Sequence, residues 1–190
     1  MADFTTELTE KHQIFIQKQH MFFVATSPKD GGRINLSPKG LNTFRIVNDK
    51  QVAYLDLTGS GNETSAHLHE NGRITIMFCA FEGAPLILRV YGRGRVIQPV
   101  DVAWAEWSSK FERLPGTRQI IAVDVESVQT SCGYAVPEYM YCGERQVLLN
   151  WAEKKGEEGL EAYRREKNAK SIDGLPSGYK PGRHNIEEAR

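Results

Sequence analysis

The feature that most constrains this chain is a succession of apolar runs alternating every second residue, without a regular crossover helix from each run to the next. "RITIMFCAF" (73–81), "APLILRVYGRGRVIQ" (84–98) and "RQIIAVDVESVQTSCGYAV" (118–136) are the longest. Period two places successive side chains on opposite faces of a strand. Shorter runs precede them: "MFFVATS", "INLSP", "TFRIV" and "QVAYLDLT". The last two are joined by Asn48-Asp49-Lys50-Gln51, an Asn/Asp hairpin turn. Strands that follow strands disfavour a doubly wound parallel sheet, which needs a crossover helix at each step. The expectation is a mainly β (α+β) chain, a small antiparallel barrel with helices packed outside.

The helical segments are few. Thr6 to Lys18 carries Leu8, Ile14 and Phe15 at helical spacing, and residues 62–70 form a short helix stopped at Asn71-Gly72. From Asp101 to Leu114, Trp104, Trp107, Phe111 and Leu114 share one face, with Asp101 as cap. A last, mostly helical segment runs from Glu144 to about Lys170, weakened at Gly156 and Gly159, as one helix or as two shorter ones. Turn formers dominate the tail, "SIDGLPSGYKPGRHNIEEAR", which is expected to be extended. Residues 1–143 are therefore read as the barrel domain and 144–190 as a helical extension and tail.

Lys+Arg and Asp+Glu balance at 24 each, so no broad basic field invites nucleic acid, and no apolar run reaches membrane-span length. Three cysteines without a CxxC pair are expected to stay reduced in a cytoplasmic protein.

Chemistry concentrates in "DLTGSGNETSAHL" (56–68), a strand entering a glycine-rich turn and then a helix. It is neither a Rossmann nor a Walker loop, since the third glycine and the lysine are missing. Glycines permit close backbone approach, and the first N–H groups of the helix lack internal partners, which makes an anion site. The bland alternative is a capping box between Ser60 and Glu63. In "INLSPKG", Ser37 and Lys39 point to one face and can meet the same anion, or Lys39 is a solvated strand end. His67 and His69 are two apart and do not form a zinc pair on a helix. The arginines of "ILRVYGRGRVIQ" read as a solvated face, with glycines easing strand curvature. "SCGYAVPEYMYCG" gathers Tyr134, Tyr139 and Tyr141 with two thiols, as an aromatic slot for a planar ligand or a dimer seam.

Taken together, "INLSPKG", "VAYLDLTGSGNETSAHLHENGRITIMFCAFEGAPLILRVYGRGRV" and "SCGYAVP" resemble the pyridoxamine 5′-phosphate oxidase-like family of FMN-binding split-barrel proteins over about residues 10–140. The resemblance implies a six-stranded antiparallel split barrel and a homodimer with FMN in clefts shared by the two subunits. It implies a flavin-dependent oxidoreductase acting on a small molecule. The positions implied for the flavin phosphate are Asn35, Ser37, Lys39, Thr58, Asn62 and Thr64. Alternatives in the same cleft are deazaflavin F420 or haem, or a non-catalytic flavin-binding or other dimeric ligand-binding role. The family's Ser-Arg-Lys run is replaced here by Asn62-Glu63-Thr64, and its C-terminal Arg-Leu-x-Pro segment has no counterpart. The resemblance thus points away from pyridoxamine phosphate as the substrate, and no catalytic residue is assigned.

Overall fold

The computed structural model describes residues 2–182. In chain order its strands are β1 (Asp3–Thr5), β2 (Phe22–Thr26), β3 (Asn35–Lys39), β4 (Phe44–Asn48), β5 (Gln51–Leu57), β6 (Arg73–Cys79), β7 (Ile87–Ile97) and β8 (Thr117–Ser131). The helices are α1 (Glu10–Gln17), α2 (Glu63–Asn71), α3 (Trp104–Ser108) and α4 (Val147–Lys167). Every strand pairing is antiparallel. The order is β3-β2-β6-β7-β8-β5-β4, with β1 added on β8. β3 and β4 do not pair, so the barrel is split. Seven strands lie on this path where six were expected. The fold class is the one the alternation predicts.

Alternation explains how β5 and β8 are buried on both faces. Val52 and Tyr54 of β5, with Ile121 and Val123 of β8, enter the barrel interior beside Phe22, Val24, Ile76, Phe78, Leu88 and Val90. Their strand neighbours Ala53, Leu55, Ile120 and Ala122 face outward, against Trp107 and the partly buried Trp104, Phe111 and Leu114. Each fully buried large aliphatic or aromatic side chain contributes about 1.5–3 kcal/mol. The apolar stripe predicted for 101–114 does pack. Only Trp104–Ser108 is regular α-helix, however, and Asp101 accepts from Gln98 N instead of capping it.

α1 is shorter than the 6–18 span because Thr9 caps it, and its buried residue is Ile16 while Ile14 stays half exposed. The three-residue β1 before it was not anticipated. α2 ends at Gly72, whose φ of 71° is the left-handed cap that a glycine permits. α4 breaks at Gly156, φ 65°, so of the two alternatives it is the pair of shorter helices that forms. The tail expectation is met in part. Residues 171–182 lie along the barrel with a turn at 171–174, while 183–190 lie outside the described residues.

Candidate functional site

The split edge of the barrel and the start of α2 enclose a cleft of about 720 Å³. β3 supplies Asn35, Ser37 and Lys39, which alternate with exposed Leu36 and share one face as the spacing required. The turn after β5 supplies residues 59–62, and α2 supplies Glu63 and Thr64. Five of the six expected positions therefore line one cleft. Asn35 Nδ2 donates to Thr64 Oγ1 (3.1 Å) and Ser37 Oγ donates to Asn35 Oδ1 (3.1 Å). Thr58 does not reach the cleft. It is 1% exposed, donates to Gly116 O (2.9 Å) and accepts from Arg164 Nε (2.8 Å), so it braces the turn from behind.

The alternative capping box does not form. Among the described residues no side chain caps the first turn of α2, and Asn62 spends its amide elsewhere. Asn62 Oδ1 accepts from Gln119 Nε2 (2.9 Å), and Nδ2 donates to Asn168 O (3.3 Å). Glu63 turns its carboxylate to the tail, where both oxygens accept the Ile172 N–H (3.1 and 3.0 Å). Among the described residues no acceptor takes the first-turn N–H groups of α2, and the helix dipole favours an anion there.

Beneath the cleft lies a buried carboxylate that sequence reasoning did not single out. Asp56, 2% exposed, meets Lys39 Nζ at 2.8 Å through one oxygen and Arg118 Nη2 at 2.7 Å through the other. Gln119 Nε2 adds a third donor at 2.9 Å. Burial alone would push the Asp56 pKa up. The Arg118 guanidinium, then the Lys39 ammonium, outweigh it and hold the carboxyl well below the usual carboxylate range. Arg118 also donates to Gly61 O (2.9 Å) and Asn168 Oδ1 (2.7 Å). Lys39 and Arg118 supply cations to a cleft whose helix start lacks the family's Ser-Arg-Lys run. The signal for Asp56 was present: it shares parity with Val52 and Tyr54, so it had to face inward. For Arg118 the sequence held no signal.

Tyr54 adds an orphan. Its ring is wholly buried, and among the described residues its hydroxyl, beside that of Thr64, meets no partner at hydrogen-bonding geometry. Burial, then the Asp56 charge, hold that phenol well above its ordinary pKa, so it remains a donor at neutral pH. Arg33, Lys39, Arg118, Lys167 and Lys170 line the cleft with Asp56, Glu63 and Glu166; Lys39 and Arg118 share Asp56, Lys167 pairs with Glu166 and Arg33 with Asp173, and Glu63 is turned to the tail. This donor set fits a phosphate.

The extension, read from sequence as separate from the barrel domain, reaches the site: Glu166 and Lys167 from the last turn of α4, with Lys170, Ser171 and Ile172 beyond it, line the same cleft. The helix reaches there because Ala152 and Leu160 bury its apolar side, and Arg164 follows at 8% exposure.

A larger cleft, about 1090 Å³, opens on the other side of Lys39. Tyr139, Tyr141 and Cys142 of the aromatic segment line it, with Tyr141 stacked on His20 at 3.6 Å between ring centroids. Tyr134 is exposed and Cys132 lies elsewhere on the surface. His67 hydrogen-bonds Thr26 (2.9 Å) as a core residue. Among the described residues no helix is long and apolar enough to cross a membrane.

Fold and cleft define an antiparallel split barrel with a phosphate-suited seat at the start of a short helix. A family model for pyridoxamine 5′-phosphate oxidase matches residues 8–132. The pyridoxamine 5′-phosphate oxidase family protein ustO of Aspergillus flavus is 38% identical over 195 aligned positions, covering 93% of this chain and 78% of that protein. The chain belongs to the pyridoxamine 5′-phosphate oxidase family. Among solved structures, a histidine-to-alanine variant of HupZ from Group A Streptococcus superposes with a TM-score of 0.53 at 24% identity, covering 65% of this chain and 99% of that one. A Lactobacillus delbrueckii protein provisionally named a pyridoxamine 5′-phosphate oxidase gives 0.51 at 19% identity, covering 65% and 94%. At these identities the likeness is one of fold.

Proposed function

We propose that the protein is an FMN-binding oxidoreductase acting as a homodimer. The observation that carries the reading is the cleft where Lys39, Arg118, Ser37 and Thr64 converge on the uncapped start of α2. Asn35, Ser37, Lys39 and Thr64, with the first N–H groups of α2, would hold the flavin phosphate. Asn62 and Thr58 would shape the turn from behind. Bound there, the flavin ring supplies hydride or electron transfer. The chain's own residues bind, orient and exclude water. Lys39 lines both clefts, which makes the aromatic cleft the proposed seat of a small-molecule substrate. Dimerisation is supported by exposed Ile34, Leu36, Tyr139 and Met140 around these clefts.

The test is titration of the apoprotein with FMN and riboflavin, followed by flavin fluorescence. FMN should bind at least about tenfold tighter, since one charge-assisted phosphate contact is worth about 1.5–3 kcal/mol. Equal affinities would remove the phosphate seat, and with it the reading. Light scattering at micromolar concentration should show the dimer.

A further inference from the structure

We infer that the segment just beyond α4, Asn168 to Ser177, is the positioning element of the anion seat: it fixes the 58–62 turn and holds the Glu63 carboxylate off the phosphate. This rests on the reading of the cleft as a phosphate site.

Two sets of contacts carry it. The first acts on the turn. Asn168, wholly buried, donates from Nδ2 to Gly59 O (3.0 Å) and accepts at Oδ1 from Arg118 (2.7 Å). Its carbonyl accepts from Asn62 Nδ2 and from Ser177 Oγ (2.6 Å). One residue thus ties together both ends of the glycine turn and the arginine beneath it. The second set acts on Glu63. A carboxylate in the first turn of α2 would repel a phosphate at the same helix end. Here its two oxygens are taken by the single N–H of Ile172. Ser171 to Gly174 is a β-turn closed by Gly174 N–H to Ser171 O (2.9 Å), so Ile172 is its second residue. The turn is anchored on both sides, by Asp173 pairing with Arg33 and by Ser65 Oγ donating to Ser177 O (2.6 Å). Ile172 is itself exposed, so its contribution to the site is its N–H and not its side chain.

That geometry offers a clean perturbation in the full-length chain. Proline is favoured at the second position of such a turn, and neither Ile172 nor Asp173 has a positive φ. Ile172→Pro therefore deletes the N–H while keeping the turn. The variant should lose FMN affinity by about tenfold, with riboflavin affinity and melting temperature unchanged. Adding Glu63→Gln to Ile172→Pro should restore most of the loss, because the freed side chain no longer carries charge. A loss of local order alone would not be rescued this way. No change in FMN affinity for Ile172→Pro overturns the inference, as does a loss that Glu63→Gln leaves in place. If wild type neither prefers FMN to riboflavin nor binds inorganic phosphate, the failure belongs to the reading of the site and the inference falls with it. Phosphate binding without FMN selectivity would retain the anion seat, and the same variants would then be read by phosphate.

Discussion

Arg118 reaches Asp56 because β8 carries one more residue than β5 at that point. Asp56 pairs with Gln119 and Leu57 with Thr117, which leaves Arg118 as the extra residue of a β-bulge. A bulge suspends the alternation of faces. Both Arg118 and Gln119 therefore turn to Asp56 Oδ2, at 2.7 and 2.9 Å.

Removing the charge at this point leaves Lys39 and Arg118 without their shared partner. Breaking a buried ion pair by deleting one member costs about 3–5 kcal/mol. Asp56→Asn should lower the unfolding free energy by that order in urea denaturation. A loss under about 1 kcal/mol would be the value of a solvated surface pair, and the buried network would then not be a stability element.

The same pair makes stability depend on pH. The Asp56 carboxyl is held below its unfolded value by Arg118 and Lys39 against the opposing effect of burial. A depressed folded pKa contributes stability that is present above the unfolded pKa, about 4, and is lost as the pH falls below it. The stability gap between wild type and Asp56→Asn should therefore be constant near neutrality and shrink progressively as the pH falls below about 4. A gap that instead closed on raising the pH would contradict the assignment.

Lys39 stands at the lip of the seat with a quarter of its side chain exposed, shared between Asp56 and the open cleft. Lys39→Ala should weaken FMN about tenfold to a hundredfold and riboflavin far less, from a charge-assisted contact of about 1.5–3 kcal/mol. Thr64→Ala should act in the same direction and more mildly. Parallel losses for both ligands would mean general damage to the fold.

Much of this architecture was legible because period two is a local signal. The strands, the Asn48–Gln51 hairpin and the Gly72 cap all follow from neighbours in sequence. The face shared by Ser37 and Lys39 did too. What was not legible depends on long-range register. The Arg118 bulge exists only relative to β5, and alternation alone would send Arg118 and Gln119 to opposite faces. Asn168 and Ile172 act on a turn more than a hundred residues earlier, largely through main-chain groups, which leave no side-chain pattern to read. Glu63 looked like a helix cap for the same reason, since its true partner is a distant N–H.

The glycines of β7 illustrate the same limit. They were read as easing strand curvature, and Gly92 does sit beside a register shift, between its own pairing to Val125 and that of Tyr91 to Ser127. Its more exacting role is close approach. A Cβ there would lie 2.2 Å from Asp124 O, which is backbone and cannot move aside without opening the ladder. Gly92→Ala should abolish soluble expression or cost several kcal/mol, on the order of the large backbone effects. Gly59→Ala, which meets nothing within 4 Å, is the matched control and should fold normally.

Tyr54 supplies the last prediction, because it separates what the fold needs from what a ligand would need. Its hydroxyl is buried at the barrel end beside Asp56 and the Thr64 hydroxyl, and among the described residues no group accepts its proton at hydrogen-bonding geometry. Leaving a buried donor unmet costs about 1–3 kcal/mol, whereas deleting it leaves an aromatic ring of nearly the same shape. Tyr54→Phe should therefore raise the stability of the ligand-free protein, by about 1 kcal/mol, seen as a higher urea midpoint at unchanged slope. If the hydroxyl is instead completed by the bound anion or by a water linked to it, the gain should shrink or reverse at saturating FMN. Both measurements come from one pair of denaturation curves, with and without ligand. A variant less stable than wild type in the absence of ligand would show that Tyr54 already has a partner in solution. Its position beneath the seat would then reflect packing against Phe22 and Phe44 and nothing more.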